Sequence, residues 1–240
     1  MLRLSLIHIS AVSEKTKLLI INYPNNPTGK ILTDADIEAL SRFLRKHPDI
    51  YLLSDEIYEK IVFDNHKIVS MASFPEFFER VIVVNGFSKC SAMTGWRIGY
   101  LACHPTLYKV ILKLFQHSIS CTSGFLQKGA LVALDCTEDT ERMRHAYESR
   151  RNLLVEGIRD IPNVEFVPPA GSFYAWLKFD TKKNSEELCN DLLESAKIAG
   201  VPGIAYGEED KVCIRFSFAA SEDELKQFIV NLRTYMCAQR

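Results

Sequence analysis

The segment "NGFSKCSAMTGWRIGY", residues 85–100, holds a lysine and an arginine at a spacing that could serve chemistry. Its other side chains near Lys89 are apolar or small, namely Gly86, Phe87, Ser88, Ala92, Met93 and Trp96. A lysine among apolar groups is poorly hydrated, which favours the neutral amine, and a neutral amine can attack a carbonyl carbon to form a Schiff base. Arg97 offers a guanidinium suited to bidentate binding of a phosphate. The alternatives are an exposed surface lysine and a surface salt bridge.

Three further groups of residues could carry chemistry. Asp55 and Tyr58 follow the apolar run "YLLS", at the carboxyl end of a predicted strand, where parallel α/β sheets bind ligands; alternatively, Asp55 caps a helix. The stretch "NNPTG", residues 25–29, is a turn after a strand and by itself indicates only a loop. Arg215 lies inside the apolar run "CIRFSF", so it is either paired structurally or binds a carboxylate.

Alternating strands and helices position these residues in the first half of the chain. The apolar runs "KLLIINYP", "IYLLSDE" and "RVIVVNG" are typical of buried strands. Thr33 precedes "DADIEALSRFLRKH", with Asp36 three residues later, which predicts a capped helix start. Fully apolar strands separated by a helix favour a parallel α/β sheet.

The pattern of predicted elements changes in the second half of the chain, after a long helix. "PTLYKVILKLFQHS", "GFLQKGALVALD" and residues 138–158 are predicted helices. "VEFVPPAGSFYAWLKF" then predicts strands around a Pro/Gly turn, "SEELCNDLLESAKIAG" a helix ending at Gly200, "KVCIRFSFA" a strand and "SEDELKQFIVNLRTYM" a capped final helix. We therefore expect a large domain over 11–145 and a smaller α+β domain over 146–240.

Composition excludes several classes of protein. The 240 residues include 29 basic and 30 acidic side chains, a balance that gives no basic surface for nucleic acid. No apolar run reaches the roughly 18 to 20 residues of a membrane-spanning helix. Seven cysteines are scattered without a CxxC pair or a His/Cys cluster at metal-ligand spacing, which predicts reduced cysteines, a cytoplasmic location and no metal site.

Four of these segments together resemble one family. "NYPNNPTGK", "SDEIY", "GFSKCSAMTGWRIG" and "RFSFA" occur in the order and approximate spacing of class I/II aminotransferases, the fold-type I enzymes that use pyridoxal 5′-phosphate (PLP). The resemblance runs from about Lys17 to the C-terminus, and "AMTG" is similar to the aspartate/aromatic branch. It implies part of a large-domain mixed, mostly parallel sheet, followed by a C-terminal α+β small domain.

The resemblance implies a role for each residue near the cofactor ring. Lys89 would form the internal aldimine, Asp55 would pair with the pyridine nitrogen, and Tyr58 would contact the phenolic oxygen. Asn26 would contact that same oxygen, and relatives often have a cis peptide bond before the proline that corresponds to Pro27. A protonated pyridine ring is the better electron sink when the substrate Cα loses its proton, and the freed Lys89 would move that proton.

The resemblance also implies the phosphate and substrate contacts. Arg97 and Ser88 would hold the phosphate, while Gly86 stands where some relatives have a phosphate-binding serine. Asn26 and Arg215 would bind the substrate, with Arg215 on its α-carboxylate. The implied activity moves an amino group between an L-amino acid and a 2-oxo acid with ping-pong kinetics.

We expect this chain to be a truncated fragment, because the resemblance implies an N-terminal part that this sequence does not contain. In relatives it supplies an arm over the active site, a ring-stacking aromatic residue, a phosphate-binding loop and part of the homodimer interface. "LSLIHI", residues 4–9, is what a sequencing-adapter end would encode, so residues 1–10 are either non-native or an ordinary lead-in. A truncated chain would expose sheet surface. The alternatives to an active aminotransferase are a non-catalytic, cofactor-binding fragment and a PLP-dependent C–S β-lyase.

Overall fold

A computed structural model of the protein describes residues 12–239, and they form two compact units. The first unit contains residues 12–24, 31–60 and 67–140, and the second contains 25–30, 61–66 and 141–239. The second unit therefore takes two short segments from the first half of the chain. Compact units need not be independent domains, so the domain bounds 11–145 and 146–240 stay a prediction.

The first unit contains a four-stranded mixed sheet. Its strands are β1 (Leu18–Asn22), β2 (Tyr51–Asp55), β3 (Val81–Gly86) and β4 (Gly99–Cys103), in spatial order β1-β2-β3-β4. The first three strands run parallel, as the apolar runs predict. β4 pairs antiparallel with β3 and was not predicted. Because β1, β2 and β3 are parallel, their carboxyl ends meet at one edge of the sheet.

Helix α1 (Asp34–Lys46) packs on this sheet and starts as predicted. Thr33 and Asp36 form a capping box, in which each side chain satisfies the backbone N–H of the other. The helix buries an apolar face that joins the strand side chains in one core, formed by Ile21, Leu40, Phe43, Leu44, Ile50, Leu52, Met71, Phe77 and Val81.

Much apolar surface of the first unit remains exposed. Leu18 and Ile20 on β1 keep 42% and 64% of their surface accessible. Helices α2 (Pro105–Ser118) and α3 (Gly124–Asp135) have the predicted bounds. Every residue of α2 is described, and none is buried. The expected exposure of sheet surface is confirmed.

The second unit contains most of helix α4 (Thr137–Ile158) and a second sheet. Its strands are β5 (Val164–Phe166), β6 (Tyr174–Phe179), β7 (Val201–Pro202) and β8 (Cys213–Ser217), all antiparallel, in the order β5-β6-β8-β7. Helices α5 (Ser185–Ala196) and α6 (Glu222–Ala238) complete it. The predicted cap of α6 is confirmed, since Ser221 and Glu224 form a capping box.

The predicted end of α5 at Gly200 is wrong. The helix ends earlier, at Ala196, and the residue that caps it, Lys197, adopts the left-handed conformation with φ of 57°. The backbone N–H of Ile198 then donates to the carbonyl of Leu192 at 3.0 Å, which closes the helix as a Schellman turn does. Gly200 is small for another reason: a Cβ there would lie 2.5 Å from the Ile214 side chain.

The sequence analysis expects neither a membrane-spanning helix nor a metal site, and the structure can be compared with both expectations over residues 12–239. No helix in that range is long and apolar enough to cross a membrane. The same range holds no group of three or more His, Cys, Asp or Glu side chains that could bind a metal ion. The two alternatives for residues 1–10, a non-native start or an ordinary lead-in, concern residues outside the described part of the chain.

Candidate active site

Asp55 lies at the carboxyl edge of the first sheet, directly beside the end of β1. Its backbone carbonyl accepts from the Asn22 amide nitrogen at 3.2 Å and from the Tyr23 backbone N–H at 3.1 Å. The carboxylate itself accepts from the backbone N–H of Ile57 at 3.1 Å. Turns rather than a helix follow, so Asp55 does not cap a helix, and its half-buried carboxylate is fixed at the strand end.

The next residue, Glu56, points into the protein because consecutive residues of an extended chain face opposite sides. It is buried and accepts hydrogen bonds from the hydroxyls of Ser54 at 2.8 Å and Ser70 at 2.7 Å. Burial raises the pKa of Glu56, while the two hydroxyls partly oppose that shift. Of the two neighbouring acids, only Asp55 remains at the sheet edge.

Lys89 lies close to Tyr58 in the same unit. Its Nζ atom is 5.9 Å from the centroid of the buried Tyr58 ring, within the range of a cation–π contact. Lys89 is half-buried. The alternative interpretation, a fully exposed surface lysine, therefore does not describe it. The structure thus brings an acid, a phenol and an amine to the region that follows β2 and β3.

A loop from Phe87 to Met93 follows β3 and contains Lys89. The backbone N–H of Met93 donates to the carbonyl of Phe87 at 3.2 Å, and both side chains are buried in one small core. Trp96, expected to be a third apolar neighbour, is instead 43% exposed. It lies against α3, where a Cβ added to Gly129 would be 2.5 Å from the indole.

Ser88 and Arg97 are connected through Thr94. The Thr94 hydroxyl donates to the Ser88 carbonyl at 2.9 Å, and Arg97 Nη1 donates to the Thr94 carbonyl at 3.1 Å. Arg97 has a left-handed backbone, with φ of 54°, where a short 3₁₀ helix ends. Within the described part of the chain Arg97 forms no ion pair. The surface salt bridge proposed as its alternative is therefore not found there.

The remaining two candidates, Asn26 and Arg215, lie in the second unit. Asn26 belongs to a loop that is tied to the segment before β6: the backbone N–H groups of Ala170 and Gly171 both donate to the Gly29 carbonyl at 2.9 Å. Asn25 Oδ1 accepts from the Thr28 backbone and hydroxyl within this loop. The Asn26–Pro27 peptide bond is cis, as the resemblance implies.

Arg215 reaches Asn26 from the middle of β8. Its Nη1 atom donates to Asn26 Oδ1 at 3.0 Å. Its Cζ atom lies 4.3 Å from the centroid of the Tyr174 ring and 5.4 Å from that of Tyr206. The sequence analysis missed both tyrosines. Burial raises the pKa of the Tyr206 hydroxyl, and the positive charge of Arg215 partly opposes this.

A family model and known proteins match the chain over most of its length. The model described as "Aminotransferase class I and II" matches residues 6–232. An aspartate aminotransferase of Musicola paradisiaca is 38% identical over 219 residues, covering 90% of this chain and 54% of that protein. An aromatic-amino-acid aminotransferase 2 of Thermococcus litoralis is 39% identical, covering 90% and 56%.

The fold agrees with solved structures of this family. The crystal structure of an aromatic aminotransferase from Pyrococcus horikoshii superposes with a TM-score of 0.93 and 34% identity, over 99% of this chain and 64% of that one. The chain spans a little over half the length of the related sequences it matches. The predicted α/β fold of PLP-dependent transferases is thereby confirmed, and the chain belongs to the class I and II aminotransferase family.

Proposed function

We propose that this chain carries the cofactor-binding and carboxylate-binding residues of an aminotransferase that moves an amino group between an L-amino acid and a 2-oxo acid. The observation that supports this most is the grouping of Asp55, Tyr58 and Lys89 after two parallel strands. Membership of a family that depends on PLP supports it independently. Ping-pong kinetics follow, because the enzyme holds the amino group after the first 2-oxo acid has left and before the second one binds.

The side chains of the first unit match PLP group by group. Lys89 offers an amine to the aldehyde, Asp55 a carboxylate to the pyridine nitrogen, and Tyr58 a hydroxyl to the phenolic oxygen. Ser88 and Arg97, linked through Thr94, offer a hydroxyl and a guanidinium to the phosphate. When bound, PLP supplies an electron sink for the charge left when the substrate Cα loses its proton.

Lys89 is the residue to which we assign proton transfer. Its backbone lies between Phe87 and Met93, whose side chains are buried in one small core, so the point from which the amine extends is fixed. Lys89 Nζ would accept the proton that leaves the substrate Cα, hold it, and then donate it back to the bound reactants. Asn26 and Arg215 bind the carboxylate that every L-amino acid and 2-oxo acid carries.

The test of this proposal is a labelling experiment. The purified chain is incubated with PLP, treated with borohydride, digested and mapped by mass spectrometry. We expect a pyridoxyl group on Lys89, and its loss in Lys89→Ala. The exposed Lys109 serves as a matched control, because Lys109→Ala should leave the label unchanged. Labelling spread over other lysines, or undiminished in Lys89→Ala, would refute the assignment.

Activity assays separate the competing functions. Amino transfer from an L-amino acid to an added 2-oxo acid identifies an aminotransferase. Labelling at Lys89 without transfer identifies a non-catalytic, cofactor-binding chain. Release of pyruvate and ammonia from a β-substituted amino acid identifies a C–S β-lyase.

We further propose that the protein is a homodimer in the cytoplasm and acts in amino acid metabolism. The exposed apolar side chains of the first unit, such as Ile20 and Leu114, support association with another surface. All seven cysteines lie in the described range and are free thiols, which supports a reducing compartment. Analytical ultracentrifugation tests the dimer, and cell fractionation tests the location.

A further inference from the structure

We propose that Tyr174 and Tyr206 form an aromatic clamp that positions the Arg215 guanidinium to bind a carboxylate. The inference rests on the proposed function in one respect, namely that Arg215 binds the carboxylate of a substrate. It adds two positioning residues that act through Arg215. Neither was expected from the sequence.

Both rings lie close enough to interact with the cation. Arg215 Cζ is 4.3 Å from the Tyr174 centroid and 5.4 Å from the Tyr206 centroid, and an attractive cation–π contact extends to about 6 Å. A planar guanidinium stacks on aromatic faces better than an ammonium does. Two such contacts restrict both the position and the tilt of the guanidinium.

The clamp residues are themselves held by packing. Tyr174 is buried in β6, and its ring centroid lies 4.8 Å from that of Phe173. Tyr206 ends a short 3₁₀ helix, and Trp176 meets its ring edge-on at 5.6 Å with an interplanar angle of 83°. Packing therefore fixes both rings of the clamp, so their contact with Arg215 is not a chance contact of mobile side chains.

The hydrogen bonds of Arg215 explain why a clamp is needed. The Arg215 Nε atom is buried and has no hydrogen-bond partner among the described residues. Asn26 Oδ1 accepts from Nη1 at 3.0 Å. A guanidinium has five N–H donors, and a single neutral acceptor does not fix its orientation. The rings supply the missing constraint.

The charge of Arg215 points to an anion as the ligand. Within residues 12–239, Arg215 forms no ion pair, although it is half-buried. Arg151 in the same unit provides the contrast, since its two Nη atoms donate to both carboxylate oxygens of Asp64 at 2.8 and 2.6 Å. Because Nε is enclosed and the rings cover the guanidinium, its Nη end is the part that a carboxylate can reach in bidentate fashion.

Arginine side-chain NMR of the whole chain tests the clamp directly. The chain is labelled with ¹⁵N-arginine, and the Arg215 Nε–Hε signal is assigned by its loss in Arg215→Lys. Pyruvate is the probe, and methyl pyruvate, which lacks the negative charge, is the matched ligand control. We expect saturable movement of the Arg215 signal with pyruvate only, while the Arg151 signal stays still.

Two variants of Tyr206 separate the ring from its hydroxyl. Tyr206→Phe keeps the ring and should leave the pyruvate Kd unchanged. Tyr206→Leu removes it, should raise that Kd about five- to thirtyfold, and should move the ligand-free Arg215 signal as the ring current disappears. If Tyr206→Leu fails to fold, Trp176→Leu replaces it, with a smaller rise expected from the loss of support for Tyr206.

The outcomes distinguish this inference from the proposed function. Pyruvate binding that weakens in Tyr206→Leu, without cofactor labelling at Lys89, would uphold the clamp and refute the aminotransferase. Labelling at Lys89 with an unchanged pyruvate Kd in Tyr206→Leu would overturn the clamp alone. Failure of pyruvate to move the wild-type Arg215 signal would overturn the clamp as a carboxylate-positioning device.

Discussion

Gly29→Ala should be strongly destabilising, because Gly29 satisfies two independent constraints in the loop that carries Asn26. Its backbone is left-handed, with φ of 69°. A Cβ at this position would lie 2.2 Å from Pro169 Cβ, 3.0 Å from the Gly171 carbonyl oxygen and 3.1 Å from Pro169 Cα. Backbone atoms and a proline ring cannot move aside as a flexible side chain can.

The two constraints give separate contributions to the loss of stability. A left-handed alanine costs about 1–2 kcal/mol, and overpacking costs about 1–3 kcal/mol more. Gly207→Ala is the matched control: its φ is 76°, but nothing lies within 4 Å of an added Cβ. The reduced entropy of the unfolded alanine chain offsets about 0.4–1 kcal/mol in both variants, so it cancels when they are compared.

Urea unfolding of the two variants measures the difference. Fluorescence of Trp176 reports on the second unit once Trp96, the other tryptophan, is replaced by Phe in all chains. We expect Gly29→Ala to lose about 1–3 kcal/mol more free energy of unfolding than Gly207→Ala. A difference below about 0.5 kcal/mol, the size of ordinary surface effects, would mean that the Pro169 contact does not constrain the loop.

Three further substitutions test packing and charges within the two units. The pKa of Glu56 is raised in the folded state, so the folded protein holds this proton more tightly than the unfolded chain and should lose stability as the pH rises above 4.5. Glu56→Gln should abolish that loss, and urea midpoints between pH 4 and 7 measure it. Hydrogen bonds from Lys183 and Tyr235 lower the pKa of Asp191 to about 2, so the protein should lose stability as the pH falls from 3.8 towards 2. Asp191→Asn should abolish that loss, and acid unfolding curves measure it. Gly86→Ala should destabilise by about 1–3 kcal/mol in urea, because its Cβ would lie 2.9 Å from Gly99 Cα, whereas Gly95→Ala has open space and should change little.

Elements whose own residues specify them could be predicted from the sequence. The bounds of α2 and α3 agree with the predicted segments, and the caps at Thr33 and Ser221 follow from a short local pattern. The three parallel strands were recognisable because their apolar runs are continuous. In each case the information lies within a few neighbouring residues.

Features that depend on distant partners could not be predicted. β4 is short and exposed, and only pairing with β3 makes it a strand. Lys197 caps α5 in the left-handed conformation, which the residues around it do not indicate. Gly200 was therefore the more obvious candidate for the end of the helix. Tyr206 meets Arg215 only because a 3₁₀ helix before β8 folds back on that strand, and no spacing rule predicts such a turn.

Arg151 and Arg215, two arginines of the second unit, show how the surroundings of a cation determine its use. The Asp64 carboxylate neutralises Arg151, and the Arg151 guanidinium in turn holds the pKa of Asp64 below its usual range. The Glu148 carboxylate lies 4.0 Å from Arg151 Nη2 as well, so acidic side chains of the protein already compensate the charge of Arg151. Aromatic rings stabilise Arg215 without carrying a compensating charge, and the Asn26 amide is likewise neutral. A site that must hold an arginine still and yet leave its charge available to a carboxylate therefore requires neutral supports, and Tyr174, Tyr206 and Asn26 meet that requirement.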